Sequence, residues 1–207
     1  MKLNSEDGGN RKFIMVQLPE VCDEKSEAAK AGYHTICDIG EERIRRAGEK
    51  TREQVEASNE QLKLGEEPKR VPDIGFRVLR IDSSNFEDVY STPEDTQQEA
   101  LFNLAGNLKP NRSAEDLLFE ALPAFQIPFS AAIKPIDVAG FKAFDVNGGQ
   151  LVACFDTGIT NDAITAMAKL QPSNCVVRDA SFAGAAAAAI FERIFKTVSP
   201  TTLCKVI

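Results

Sequence analysis

The stretch Gly9–Lys50, GNRKFIMVQLPEVCDEKSEAAKAGYHTICDIGEERIRRAGEK, decides how the first part of the chain is read. Phe13, Ile14, Met15, Val16 and Leu18 form a nearly unbroken apolar run between Arg11-Lys12 and Pro19-Glu20. A short continuous run of this kind suits a strand covered on both faces, as in a parallel α/β sheet. Pro19 ends the run, because proline has no ladder donor. Glu20 then stands at the carboxyl end of the expected strand. Ligands of open α/β sheets bind beyond that end, where a carboxylate can accept hydrogen bonds from ribose hydroxyls. A solvated carboxylate is the alternative, and a lone acid is a weak motif.

Outward from the strand, the loop Cys22–Gly32 is highly charged. Thr35 or Asp38 can cap a helix that runs from about Ile39 through EERIRRAGEKTREQVEASNEQLK. Glu41 and Glu42 favour its first turn, and Arg43, Arg45, Arg46, Lys50 and Arg52 follow. Apolar positions are sparse, so such a helix packs one narrow stripe and leaves most of its surface in water. Arg43, Arg45, Arg46 and Arg52 are the best local cluster for phosphate contacts. A solvated, charge-laced face is the more ordinary use of that pattern.

The chain has 207 residues, 43% hydrophobic and 27% charged, enough for one medium or two small domains. It has no apolar run long enough to span a membrane. Its net charge of -7 argues against a dominant DNA contact, since duplex affinity comes largely from cationic side chains. Five cysteines at Cys22, Cys37, Cys154, Cys175 and Cys204 lack metal-type spacing and read as reduced thiols. Cys22, His34 and Cys37 are close in sequence but lack an evident fourth metal ligand. His34 is the only histidine, so no histidine-activated nucleophile stands out.

Beyond the polar linker LGEEPKRVPDIG, the run GFRVLRID (75–82) predicts a further strand, with Asp82 near its carboxyl end. Ser91 or Thr92 can cap a helix with Pro93 in its first turn. Pro123 and Pro128 end helical order. Strand-like segments FSAAIKPIDV, GFKAFDV and QLVACFD follow, with hairpin chemistry at Asn147-Gly148-Gly149. That loop reads as a turn rather than an anion cradle, because no helix follows it directly. The chain then alternates helix 161–170, strand 175–178, helix 180–196 and a terminal strand TLCKVI, which favours an α/β sheet. Within it, Val176-Val177-Arg178-Asp179-Ala180-Ser181-Phe182-Ala183-Gly184 imitates a strand followed by a glycine turn. Ala186 stands where an F-x-G-x-G turn needs its second glycine.

The segments FIMVQLPE, DEKSEAAKAGYHTICDIGEERIRRA, GFRVLRIDSSNF, SAEDLLFEAL and NGGQLVACFD together resemble the C-terminal half of the modification (Mod) subunit of type III restriction-modification systems. These are S-adenosylmethionine-dependent DNA adenine-N6 methyltransferases. The resemblance implies an α/β protein: a partial Rossmann-like methyltransferase sheet over residues 1–90, then a small C-terminal α/β domain over 91–207. It implies S-adenosylmethionine as cofactor, with Glu20 as its ribose contact. It implies DNA, a second copy of the subunit and a restriction subunit as partners, in the cytoplasm and away from membranes. The family's F-x-G-x-G turn and D-P-P-Y motif do not occur in this sequence. The expectation is therefore a C-terminal portion that is inactive alone, or a non-catalytic interaction module.

Overall fold

The computed structural model describes residues 1–63, 65–87, 108–182 and 184–207. The chain divides into two compact units, Met1–Ile81 and Asp82–Ile207.

The first unit is built on one long helix. Helices α1 (Lys2–Asp7) and α2 (Glu27–Lys30) precede α3 (Ile36–Glu60). α3 starts at a reciprocal cap, three residues before the expected Ile39. Thr35 Oγ1 accepts the Asp38 N–H at 3.2 Å, and the Asp38 carboxylate accepts the Thr35 N–H at 2.8 Å. Gly48, Thr51 and Val55 form its buried stripe. After α3, Asn59 takes both the N–H and the carbonyl of Lys69 at 2.8 Å, and Ile74 lies against Gly48. Residues 69–74 therefore run back along the helix as an extended strap. The lengths agree: eleven helical residues and five extended ones both span about 16 Å.

The two strands expected in this unit do not form. Residues 8–20 and 66–81 carry no strand or helix. Ile14 is 92% exposed, Val16 91% and Ile81 fully so at 104%. A strand needs a ladder neighbour, and a continuous apolar strand needs cover on both faces. Neither run finds them within the unit. Its described β pairing is a single bridge between Val21 and Thr35, so the described residues of the first unit hold no Rossmann-like sheet.

The second unit is a mixed five-stranded α/β sheet. Helix α4 (Ala114–Ala121) leads through a 3-10 turn (Leu122–Phe125) to β1 (Ile133–Val138), β2 (Phe141–Val146) and β3 (Leu151–Cys154). Then come α5 (Asn161–Lys169), β4 (Asn174–Val177), α6 (Ala185–Val198) and β5 (Leu203–Val206). The spatial order is β1-β2-β3-β4-β5. The first three strands form an antiparallel meander, and β3, β4 and β5 are parallel. The β2–β3 turn has the expected chemistry. Asn147 and Gly148 adopt φ 52° and 64°, and the Gly149 N–H reaches the Asp145 carboxylate at 2.6 Å. The helix expected from Pro93 lies outside the described residues.

Alternation along the central strands divides the core in two. Val152, Cys154, Cys175 and Val177 face α5 and α6, where they meet Ile164, Met167, Phe191 and Phe195. Leu151, Ala153 and Val176 face the other way, onto Leu117, Leu118 and Leu122 of α4 and its extension. This period of two explains how a fully apolar strand fills both sides of one sheet. The segment that imitated a cofactor turn is the connection from β4 to β5. It makes a 3-10 turn at Asp179–Ser181 and then α6, whose Phe191 and Phe195 are core residues.

Candidate cofactor and nucleic-acid site

Glu20 is held at the start of α3 by backbone contacts. Its carbonyl accepts the Ile36 N–H at 3.0 Å, and its own N–H donates to the Leu18 carbonyl at 2.9 Å. The Cys22 N–H donates to the His34 carbonyl at 2.8 Å, closing a short loop over residues 22–34. The Cys37 thiol lies 3.6–3.7 Å from the carbonyls of Leu18 and Gln17. These bonds fix the backbone of the acidic residue although no strand precedes it. The Glu20 side chain is exposed, and among the described residues it has no hydrogen-bond donor. It is free to accept from hydroxyls.

The neighbouring carboxylate is not free. Asp38 accepts the N–H groups of Thr35 and His34, and the Thr35 bond is the main reason its pKa lies below the usual range. That carboxylate caps the helix.

The arginines share α3 but not one face. Arg45 pairs with Glu41 at 2.9 Å, and its guanidinium lies 5.5 Å from the Phe76 ring centroid. Arg46 bonds Glu42 at 2.8 Å and the Tyr33 hydroxyl at 3.3 Å. Arg52 pairs with Glu49 at 3.2 Å. Arg43 is exposed and makes no ion pair among the described residues. Three of the four cations thus have a carboxylate one helical turn away. The helix carries seven acidic and five basic side chains, so its net field is negative. A polyanion would have to compete with those glutamates.

The sequence reading missed a groove of about 460 Å³ between α1 and α3. Phe13, Ile44, Ala47 and Thr51 line it with Lys2 and Lys50. The spacing of Ile44, Ala47 and Thr51 was a legible helical signal, but the closing wall from α1 was not. Asp82, the other acid at a predicted strand end, belongs to the second unit and is paired with Arg112 at 2.7 Å. Among the described residues, no group of three or more His, Cys, Asp or Glu is placed to hold a metal, and no helix is long and apolar enough to cross a membrane.

The geometry defines a mixed α/β unit and a helical unit with an exposed acid at a helix start. No protein-family model matches the chain. A stretch of 62 residues, 30% of the chain, is 44% identical to the type III restriction-modification enzyme StyLTI Mod subunit of Salmonella typhimurium strain LT2. A stretch of 52 residues, 25% of the chain, is 46% identical to the type III restriction-modification enzyme EcoP15I Mod subunit of Escherichia coli. These stretches cover 10% and 8% of the two relatives, a small part of their length. The chain is thus a partly Mod-like protein.

Proposed function

We propose that this chain is a portion of a site-specific DNA adenine-N6 methyltransferase, the modification subunit of a type III system. The observation that carries the reading is the identity of 44% and 46% to two Mod subunits. The complete enzyme would transfer a methyl group from S-adenosylmethionine to the N6 of a flipped adenine. Residues 1–90 belong to its methyltransferase domain, and residues 91–207 serve assembly with a second subunit and a restriction subunit.

Exposure supports the first assignment. The runs at 13–18 and 75–81 are strand-like in composition, yet most of their large side chains, Ile14, Met15, Val16, Leu18, Val78, Leu79 and Ile81 among them, are exposed. They become strands where the rest of a Rossmann-like sheet lies beside them. Glu20 fits one cofactor contact: an exposed carboxylate without a donor, on a backbone fixed at the start of α3. It would accept hydrogen bonds from the ribose hydroxyls and so orient the cofactor. When bound, S-adenosylmethionine supplies the activated methyl group. The D-P-P-Y motif that would hold the target amine, and the F-x-G-x-G turn that would let backbone approach the methionine end, do not occur in this sequence. Arg43, Arg45, Arg46 and Arg52 are secondary phosphate contacts at most, with Arg43 the least encumbered.

The test has two parts. Purified chain, incubated with DNA and labelled S-adenosylmethionine, transfers no methyl group; detectable N6-methyladenine would overturn this. In a complete enzyme carrying this segment, Glu20→Gln weakens cofactor binding about tenfold or more by calorimetry, the scale of a charged hydrogen bond. Unchanged affinity would remove Glu20 from the site.

A second reading is a non-catalytic docking module. The specific observation in its favour is the thin core of the first unit. Val55 is its only large apolar side chain that is fully buried among the described residues. Such a unit gains stability from a partner. A monomer at high concentration by sedimentation, with no partner bound, would count against it.

A further inference from the structure

Three cysteines lie on adjacent strands of the second unit. Cys154 of β3 and Cys175 of β4 belong to the core beneath α5 and α6. Cys175 stands opposite Cys204 of β5 as its register partner, so the two side chains leave the same face of the sheet. They differ in access: Cys175 is fully buried, whereas Cys204 is exposed. Among the described residues β5 is also an edge strand with β4 as its one neighbour, so it can shift without breaking a second described ladder.

We propose that Cys204 and Cys175 form a reversible thiol–disulfide pair, with Cys204 meeting the oxidant and Cys175 resolving it. The oxidant is a peroxide. The Cys204 sulfur attacks a peroxide oxygen, the O–O bond breaks, and Cys204 becomes a sulfenic acid with release of water. Cys175 sulfur then displaces the hydroxyl, a second water leaves, and the S–S bond forms. Two thiols have been oxidised and one peroxide reduced. Neighbouring strands lie about 4.7–4.9 Å apart, whereas the Cβ atoms of a disulfide prefer about 3.5–4.5 Å. The bond therefore draws β5 inward and is strained, which keeps it easily reduced.

Cys204 is exposed as a residue, but neighbouring atoms partly desolvate its sulfur, which pushes the thiol up to about 11, and the Glu192 carboxylate on α6 adds to that. Burial raises Cys175 well above the usual thiol value, and a thiolate at Cys204 or Cys154 would raise it further. Thiolate is scarce at neutral pH, so the pair responds slowly. Its rate of oxidation climbs about tenfold per pH unit below the Cys204 pKa.

The experiment treats the full chain with hydrogen peroxide, alkylates it under denaturing conditions and digests it with trypsin. The expected product joins Leu170–Arg178 to Thr197–Lys205, about 2 Da lighter than the separate peptides and separated by dithiothreitol. Both thiols still alkylated, Cys204 overoxidised beside a free Cys175, or Cys175 bonded to Cys154 would each overturn the proposal. In Cys175→Ser, Cys204 should instead accumulate the sulfinic acid, about 32 Da heavier. If that variant fails to fold, Cys204→Ser serves: it should leave Cys175 reduced under the same treatment. Oxidised Cys175 in Cys204→Ser would show that Cys204 is not the entry point.

Discussion

At the scale of single residues, the chain shows how position decides the worth of a side chain. Asp7 is exposed, yet its pKa falls to about 2, chiefly through hydrogen bonds from the Arg11 guanidinium and then from the Gly9 N–H. A carboxylate depressed in the folded state stabilises above its unfolded pKa, and that contribution is lost as pH falls through the folded value. The stabilisation from this contact should therefore be lost between about pH 4 and pH 2, and the contact itself should titrate about the folded value. The Gly9 and Arg11 amide resonances, followed by NMR, should shift with a midpoint near 2. A midpoint near the ordinary carboxylate value would remove the Arg11 contact. Leu118 is the opposite case. It is completely buried between α4 and the sheet, where truncation leaves a cavity. Leu118→Ala should cost about 2–5 kcal/mol by denaturant unfolding. A loss well under 1 kcal/mol would mean that α4 does not form this core.

At the scale of elements, the same sequence pattern had two outcomes. The run at 13–18 is continuous and apolar apart from Gln17, and the run at 151–154 is so throughout. The second became a central strand because β2 and β4 flank it and helices cover both its faces. The first had the composition but no neighbours, and composition alone cannot supply a ladder. The α3 cap, the hairpin at Asn147-Gly148 and the helix–strand alternation after Thr160 were legible because their causes are local. Glu20 was legible as a candidate, but its anchoring to Ile36 was not, since it depends on a loop closure sixteen residues later. The arginine cluster was legible as charge. Its neutralisation by Glu41, Glu42 and Glu49 was implicit in the three- and four-residue spacings. The exposed run yields a direct prediction. Replacing Ile14 and Val16 with lysine removes apolar surface from water without disturbing a packed core. The double variant should keep its unfolding midpoint and show less self-association by sedimentation. A large loss of stability would mean that the run is packed after all.

At the scale of the whole molecule, core is distributed unevenly. The second unit holds two core clusters, one on each face of its sheet, while the first unit buries little besides Val55, Gly48 and Thr51. Buried apolar area is the main favourable term in folding, so stability should follow that division. Residues 82–207 expressed alone should therefore unfold in one cooperative transition, with a midpoint close to that of the main transition of the full chain. Residues 1–81 alone should show helix from α3 but weak cooperativity, because the strap and α1 bury little apolar surface against it. Calorimetry and circular dichroism on both pieces check this. A sharp, high-temperature transition in residues 1–81 would show that the exposed runs have found a fold of their own. That result would also undercut their reading as strands of a larger methyltransferase sheet, since a self-sufficient unit needs no such neighbour.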